Sequence, residues 1–153
     1  MLDELGLLKK TQIYATDFND TVLNKAKAGK YSINQLSNSE KNYVLSGGRQ
    51  SFTDYIKMDE KFFTVKDYLK EKILFFNHNL VLDKSMNEFQ LILCKNVLIY
   101  FDDELKQRVT KLFEDSLCVN GFLSIGKNEY LEQAVLKNYK EYSPNKKVFQ
   151  KCK

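Results

Sequence analysis

The chain has 153 residues, enough for one domain with a real core. Hydrophobic residues make up 43% and charged residues 29%, which argues against disorder, and the longest apolar run, Val97–Phe101, is far too short to span a membrane. The net charge of +4 comes from scattered lysines with no basic block or aromatic–basic stripe, so charge does not point to nucleic acid. It reads either as a solvated lysine-rich surface or as a match for an acidic partner. Cys94, Cys118 and Cys152 are odd in number and lack metal-like spacing, which fits reduced thiols in the cytoplasm. No secretion leader is read at the start of the chain.

In chain order, Leu2, Leu5 and Leu8 suggest a weak helix over residues 2–10. Gln12–Asp17 reads as a short buried strand ending in an acid. Asn19 is placed to cap a helix with Val22, Leu23 and Ala26 on its apolar face, and Gly29 sits where a terminating glycine belongs. After a polar stretch ending in Gly47-Gly48, the aromatic-rich pieces 52–56 and 61–65 suggest small antiparallel strands. Residues 72–77 and 89–94 read as core strands, the second being apolar enough for burial on both faces. Asp102 or Asp103 starts a helix with Leu105, Val109, Leu112, Phe113 and Leu117 on its buried side, and Gly121 is expected to end it. A strand over 122–125, a helix around 130–139, a turn at Pro144-Asn145 and a last strand over 147–151 complete the pattern.

Alternating strands and helices predict an α/β fold with a mostly parallel sheet. Ligands of such sheets bind at the carboxyl ends of the strands. Asp17, Asn79 and Lys95-Asn96 each follow a strand, so they are placed to converge on one crevice. Asp17 reads equally as a ribose ligand, accepting from two vicinal hydroxyls, or as a helix-capping aspartate. In Asn77-His78-Asn79-Leu80 an amide suits the polar edge of an adenine while Leu80 packs on its face, or the stretch is simply a polar loop, and the lone His78 has a surface or capping role by default. Residues 94–101, CKNVLIYF, follow a buried strand with a charge, an amide and a second apolar patch. A cofactor, a substrate or a neighbouring helix is expected to cover that patch.

The string ILCKNVLIYFDDELKQRV resembles the CRNVLIYF segment of CheR chemoreceptor methyltransferases. IYATDFNDTVLNKAKAGKY, FFNHNL with NEFQLILC, and LCVNGFLSIGKNE resemble three more segments of that family, at agreeing spacing over nearly the whole chain. The resemblance implies a class I S-adenosylmethionine-dependent methyltransferase (Rossmann-like) sheet with a small β-subdomain insert at about 43–68. It implies transfer of a methyl group from S-adenosylmethionine to glutamate carboxylates of methyl-accepting chemotaxis receptors. By the same resemblance Asp17, with Phe18 beside it, holds the cofactor's ribose. Asn79 and Leu80 contact the adenine side, Cys94 and Lys95 border the cofactor, and Lys95 and Tyr100 position the reacting carboxylate. No metal is required. Lys95 stands where the family usually has arginine, which exchanges a planar bidentate donor for a point charge.

Only 16 residues precede Asp17, and Gly6 is their sole glycine. The glycine-rich loop that cradles the cofactor's methionine end, its strand and the family's N-terminal helical domain are therefore expected to be missing. The sheet is then expected to show two unpaired inner edges, which invite another chain. The segment alone is expected to be a poor methyltransferase. A non-catalytic receptor-binding remnant, or half of a split enzyme whose missing part comes from another chain, is the competing reading. A nicotinamide-type oxidoreductase shares the strand–acid pattern but lacks its glycine fingerprint.

Overall fold

A computed structural model describes residues 1–153, the Pro144 side chain excepted. The chain divides into two compact units, residues 1–78 and 79–153.

In the first unit, turns over residues 1–7 and a single tight helical turn at Leu8–Lys10 replace the expected helix; Leu8 alone of the three leucines is buried. Gly6, at φ +66°, breaks the helical run. Strand β1 (Ile13–Asp17) leads into helix α1 (Asp20–Ala28). The Asn19 side chain accepts from the N–H groups of Thr21 and Val22, and Gly29 closes the helix in the left-handed conformation at φ +59°. Strand β2 (Lys30–Ser32), helix α2 (Leu36–Leu45), β3 (Ile56–Met58), β4 (Phe62–Val65), the short α3 (Asp67–Lys70) and β5 (Ile73–Asn77) follow. β1 and β5 pair in parallel, with Asp17 opposite Asn77. The small antiparallel sheet has the order β2-β4-β3, so it takes one strand from Lys30–Ser32, upstream of 43–68. Residues 52–55 form a helical turn, not a strand, and the ring of Phe52 meets that of Phe63 edge-on at 6.1 Å. Phe63 and Ile56 are the buried anchors of this sheet.

The second unit is built on β6 (Phe89–Cys94), α4 (Asp103–Ser116), β7 (Leu117–Ile125), α5 (Gln133–Leu136), β8 (Tyr139–Ser143) and β9 (Val148–Lys151). Its sheet order is β6-β7-β9-β8, with β6 and β7 parallel and the rest antiparallel. Asp102 caps α4 by accepting the Leu105 N–H at 2.9 Å. α4 ends at Ser116, before Gly121, and β7 begins at once with Leu117. Gly121 lies inside that strand, where an added Cβ would come within 2.8 Å of the Cys118 carbonyl. The helix expected over 130–139 contracts to the four residues of α5, because Tyr139 is already paired with Lys151 in the β8–β9 ladder.

Val109 and Phe113 of α4, Leu123 and Ile125 of β7, Leu131, Val135 and Phe149 form one core with Cys94 and Leu98. That core covers one face of β6. On the other face Leu91 and Leu93 are 55% and 66% exposed, so the double burial expected of β6 is absent within this unit. Among the described residues β1 pairs with β5 alone and β6 with β7 alone, leaving each of β1 and β6 an edge without a strand partner.

Candidate functional site

In the first unit the site residues lie at the carboxyl ends of the parallel pair β1–β5. The Asp17 carboxylate accepts the Asn19 N–H through Oδ1 at 2.9 Å. The helix cap is Asn19 and not Asp17, whose bond closes the turn ahead of the helix; among the described residues its second carboxylate oxygen carries no hydrogen bond. Phe18 is 70% exposed. Asn77 fixes the turn that carries both: its amide nitrogen donates to the Phe18 carbonyl at 3.2 Å and to the Asp20 carboxylate at 2.8 Å. Asn77, one of the two amides of the FFNHNL segment, thus builds the turn under Asp17 and Phe18, with its amide nitrogen spent on that turn.

In the second unit, Asn79 uses its side-chain oxygen to hold its own turn, accepting from Val81 and Leu82 at 2.9 and 3.3 Å. Leu80 is partly buried against the unit's core. Cys94 ends β6 as a buried free thiol. Burial foremost, and then the charge of Glu129, push its pKa up to about 12, so it is a neutral, unreactive wall.

Lys95 does not extend freely into solvent. Its ammonium donates to Ser124 Oγ at 2.6 Å and to the Ile125 carbonyl at 2.5 Å, bridging the ends of β6 and β7. Two of its three hydrogens are committed in this way. The apolar patch after it divides by face. Leu98 is buried at 1% exposure, while Ile99 and Tyr100 are 49% and 80% exposed. The patch is therefore anchored by the unit's own core through Leu98 and presents its remaining apolar side outward.

The turn between Lys95 and Leu98 is held by Glu129, a buried carboxylate with 3% exposure. It accepts the backbone N–H groups of Asn96 (3.1 Å), Val97 (2.7 Å), Leu98 (2.7 Å) and Gly126. Beside it lies a cavity of about 210 Å³, lined by Leu98, Ile99, Lys106, Asn128, Glu129 and Tyr130. A larger cavity of about 510 Å³ opens at the far end of the sheet, where β6 and β7 begin, away from these residues. Glu129 does not stand out in the sequence. Its only signal was an acid three residues after Gly126 in LSIGKNE, which lies far from the turn it holds.

Both parallel pairs thus end in polar residues at the edge where α/β sheets take their ligands. Residues 2–147 match the family of the CheR methyltransferase, SAM binding domain. The chain belongs to the CheR methyltransferase family. Its mixed α/β sheets accord with the class I methyltransferase fold, and the cofactor of this family domain is S-adenosylmethionine. A Pseudomonas putida protein named as a methyltransferase, Cher3, is 41% identical over 132 residues, covering 86% of this chain and 48% of that protein. Chemotaxis protein methyltransferases of Borreliella burgdorferi and Vibrio parahaemolyticus are each 34% identical, covering 78% and 82% of this chain and 41% and 44% of theirs. The chain spans less than half the length of these relatives. Among the described residues no helix is long and apolar enough to cross a membrane.

Within the first unit, an acid at the end of a parallel strand has the acceptor chemistry that the ribose hydroxyls of S-adenosylmethionine call for. No glycine-rich turn precedes Asp17 in these residues to receive the methionine end.

Proposed function

We propose that this chain is the S-adenosyl-binding portion of a protein-glutamate O-methyltransferase acting on methyl-accepting chemotaxis receptors. The supporting observation is Asp17, an acid at the end of a parallel strand with one oxygen uncommitted, within a family match that covers residues 2–147. Bound S-adenosylmethionine supplies an electrophilic methyl group on a sulfonium.

The chain's own residues bind and align. Asp17 takes the ribose hydroxyls, with Phe18 beside it. Asn79 and Leu80 face the adenine, and Cys94 and Lys95 border the cofactor. Lys95, with one donor hydrogen left, and the exposed Tyr100 hydroxyl orient the acceptor carboxylate. A glutamate is already ionised at neutral pH, so no general base is required. Rate acceleration then comes from proximity and from stripping water off the nucleophile.

The test uses the whole natural polypeptide with methyl-tritiated S-adenosylmethionine and receptor-bearing membranes. Volatile label released by mild base identifies carboxyl methyl esters and supports the reading. Base-stable label, or none, rejects it.

A further inference from the structure

Glu129 is the buried charge that no step above uses. A carboxylate at 3% exposure persists only where hydrogen bonds replace its lost water. All four of its partners are backbone N–H groups, and three come from consecutive residues, Asn96, Val97 and Leu98. Oε1 takes Val97 and Leu98; Oε2 takes Asn96 and Gly126. Consecutive N–H groups converge on one anion when left- and right-handed residues alternate to form a concave nest. Asn96 at φ +58° and Val97 at φ −114°, ψ −46° make that alternation. Asparagine tolerates the left-handed conformation better than most residues. Gly126 gives the carboxylate room: a Cβ there would press on the Glu129 carboxylate and come within 3.0 Å of Asn96 Oδ1.

We propose that Glu129 is a positioning residue for methyl transfer: its carboxylate fixes the 96–98 turn and thereby the placement of Lys95 before it and Tyr100 after it. The role rests on the methyltransferase reading above. The Tyr100 N–H donates to the Val97 carbonyl at 3.2 Å, so the aromatic ring inherits the geometry of the turn. Glutamine cannot substitute. Four donors require two acceptor oxygens, and the amide offers one oxygen and turns an NH2 toward N–H groups.

The experiment compares wild-type and Glu129→Gln forms of the whole natural polypeptide by amide hydrogen exchange and by methyl-transfer kinetics on receptor-bearing membranes. In the variant, the amides of residues 96–98 and 126 should exchange at least about tenfold faster while those of β7 keep their protection. The kcat should fall on the order of 100-fold, as expected for a small misplacement of aligned groups. The KM for S-adenosylmethionine should change by less than about threefold. Unchanged exchange at 96–98, a uniform loss of protection across the unit, or an unchanged kcat would each overturn the role. If Glu129→Gln does not fold, Gly126→Ala carries the same test by crowding the carboxylate, with the same expected and overturning patterns. A wild-type protein that transfers no methyl group rejects the functional reading and this role with it, even where exchange shows the turn held by Glu129.

Discussion

Lys95 and Ser124 are joined by a 2.6 Å hydrogen bond that carries the Lys95 ammonium across the ends of β6 and β7. The same ammonium reaches the Ile125 carbonyl. The Lys95 cation is therefore part of the strand-end scaffold as well as a candidate for orienting substrate. Ser124→Ala removes one partner and leaves the charge in place. It should lower stability by about 1 kcal/mol, and a double-mutant cycle with Lys95→Ala should show coupling of similar size. Additive effects in chemical denaturation would mean that the bond is not maintained in solution.

Leu98 and Ile99 are neighbours with opposite fates, 1% and 49% exposed. Leu98→Ala should destabilise the protein by roughly 2–5 kcal/mol, the usual cost of emptying a core leucine site. Ile99→Ala should cost less than about 1 kcal/mol. Urea midpoints for the two variants measure the difference directly; equal losses would contradict the division of this segment into an anchored and an outward side.

The three cysteines differ in burial: Cys94 buried, Cys118 intermediate, Cys152 exposed. With its pKa pushed up to about 12 by burial, Cys94 should resist alkylation at pH 8 while Cys152 reacts. Denaturant should expose all three. Mass spectrometry after a short iodoacetamide pulse reads the order, and early labelling of Cys94 would show that the end of β6 is open.

Glu4 ties the start of the chain to the first unit. It accepts hydrogen bonds from the hydroxyls of Tyr43 and Tyr55 and from the Arg49 N–H. The Tyr43 bond foremost, then those of Tyr55 and Arg49, lower its pKa from 4.5 to about 2. Because the folded value is depressed, the stabilisation is fully present above about pH 4.5 and is lost as pH falls toward 2. Tyr55 is shifted upward from 10.0, chiefly by burial, so it remains a donor through neutral and mildly alkaline pH. Glu4→Gln should flatten the acid limb of stability between pH 4.5 and 2. Parallel wild-type and variant curves would remove Glu4 from the acid response.

Where local chemistry was decisive, the sequence was legible. Asn19, Gly29 and Asp102 each place a helix end where capping rules put it. The strands over 73–77 and 89–94 follow from short apolar runs. Tertiary pairing decided the rest. Tyr139 closes the stretch expected to be helical but is claimed by the β9 ladder, and Gly121 sits in a strand instead of stopping a helix. At the site, CKNVLIYF was recognisable as unusual, but its inward and outward division depends on which side chain meets the α4–β7 core. Glu129 was not legible because its four partners lie in the turn after β6 and at Gly126, and no sequence period links the two segments.

The ribose-binding role of Asp17 is tested by calorimetric binding of S-adenosylhomocysteine to the whole natural polypeptide and to its Asp17→Ala variant. Binding to the wild type should be saturable, with affinity at least about tenfold weaker in the variant, the cost of unmaking charge-assisted hydrogen bonds to the ribose. Equal affinity in the two proteins, or no binding to the wild type, would contradict that role.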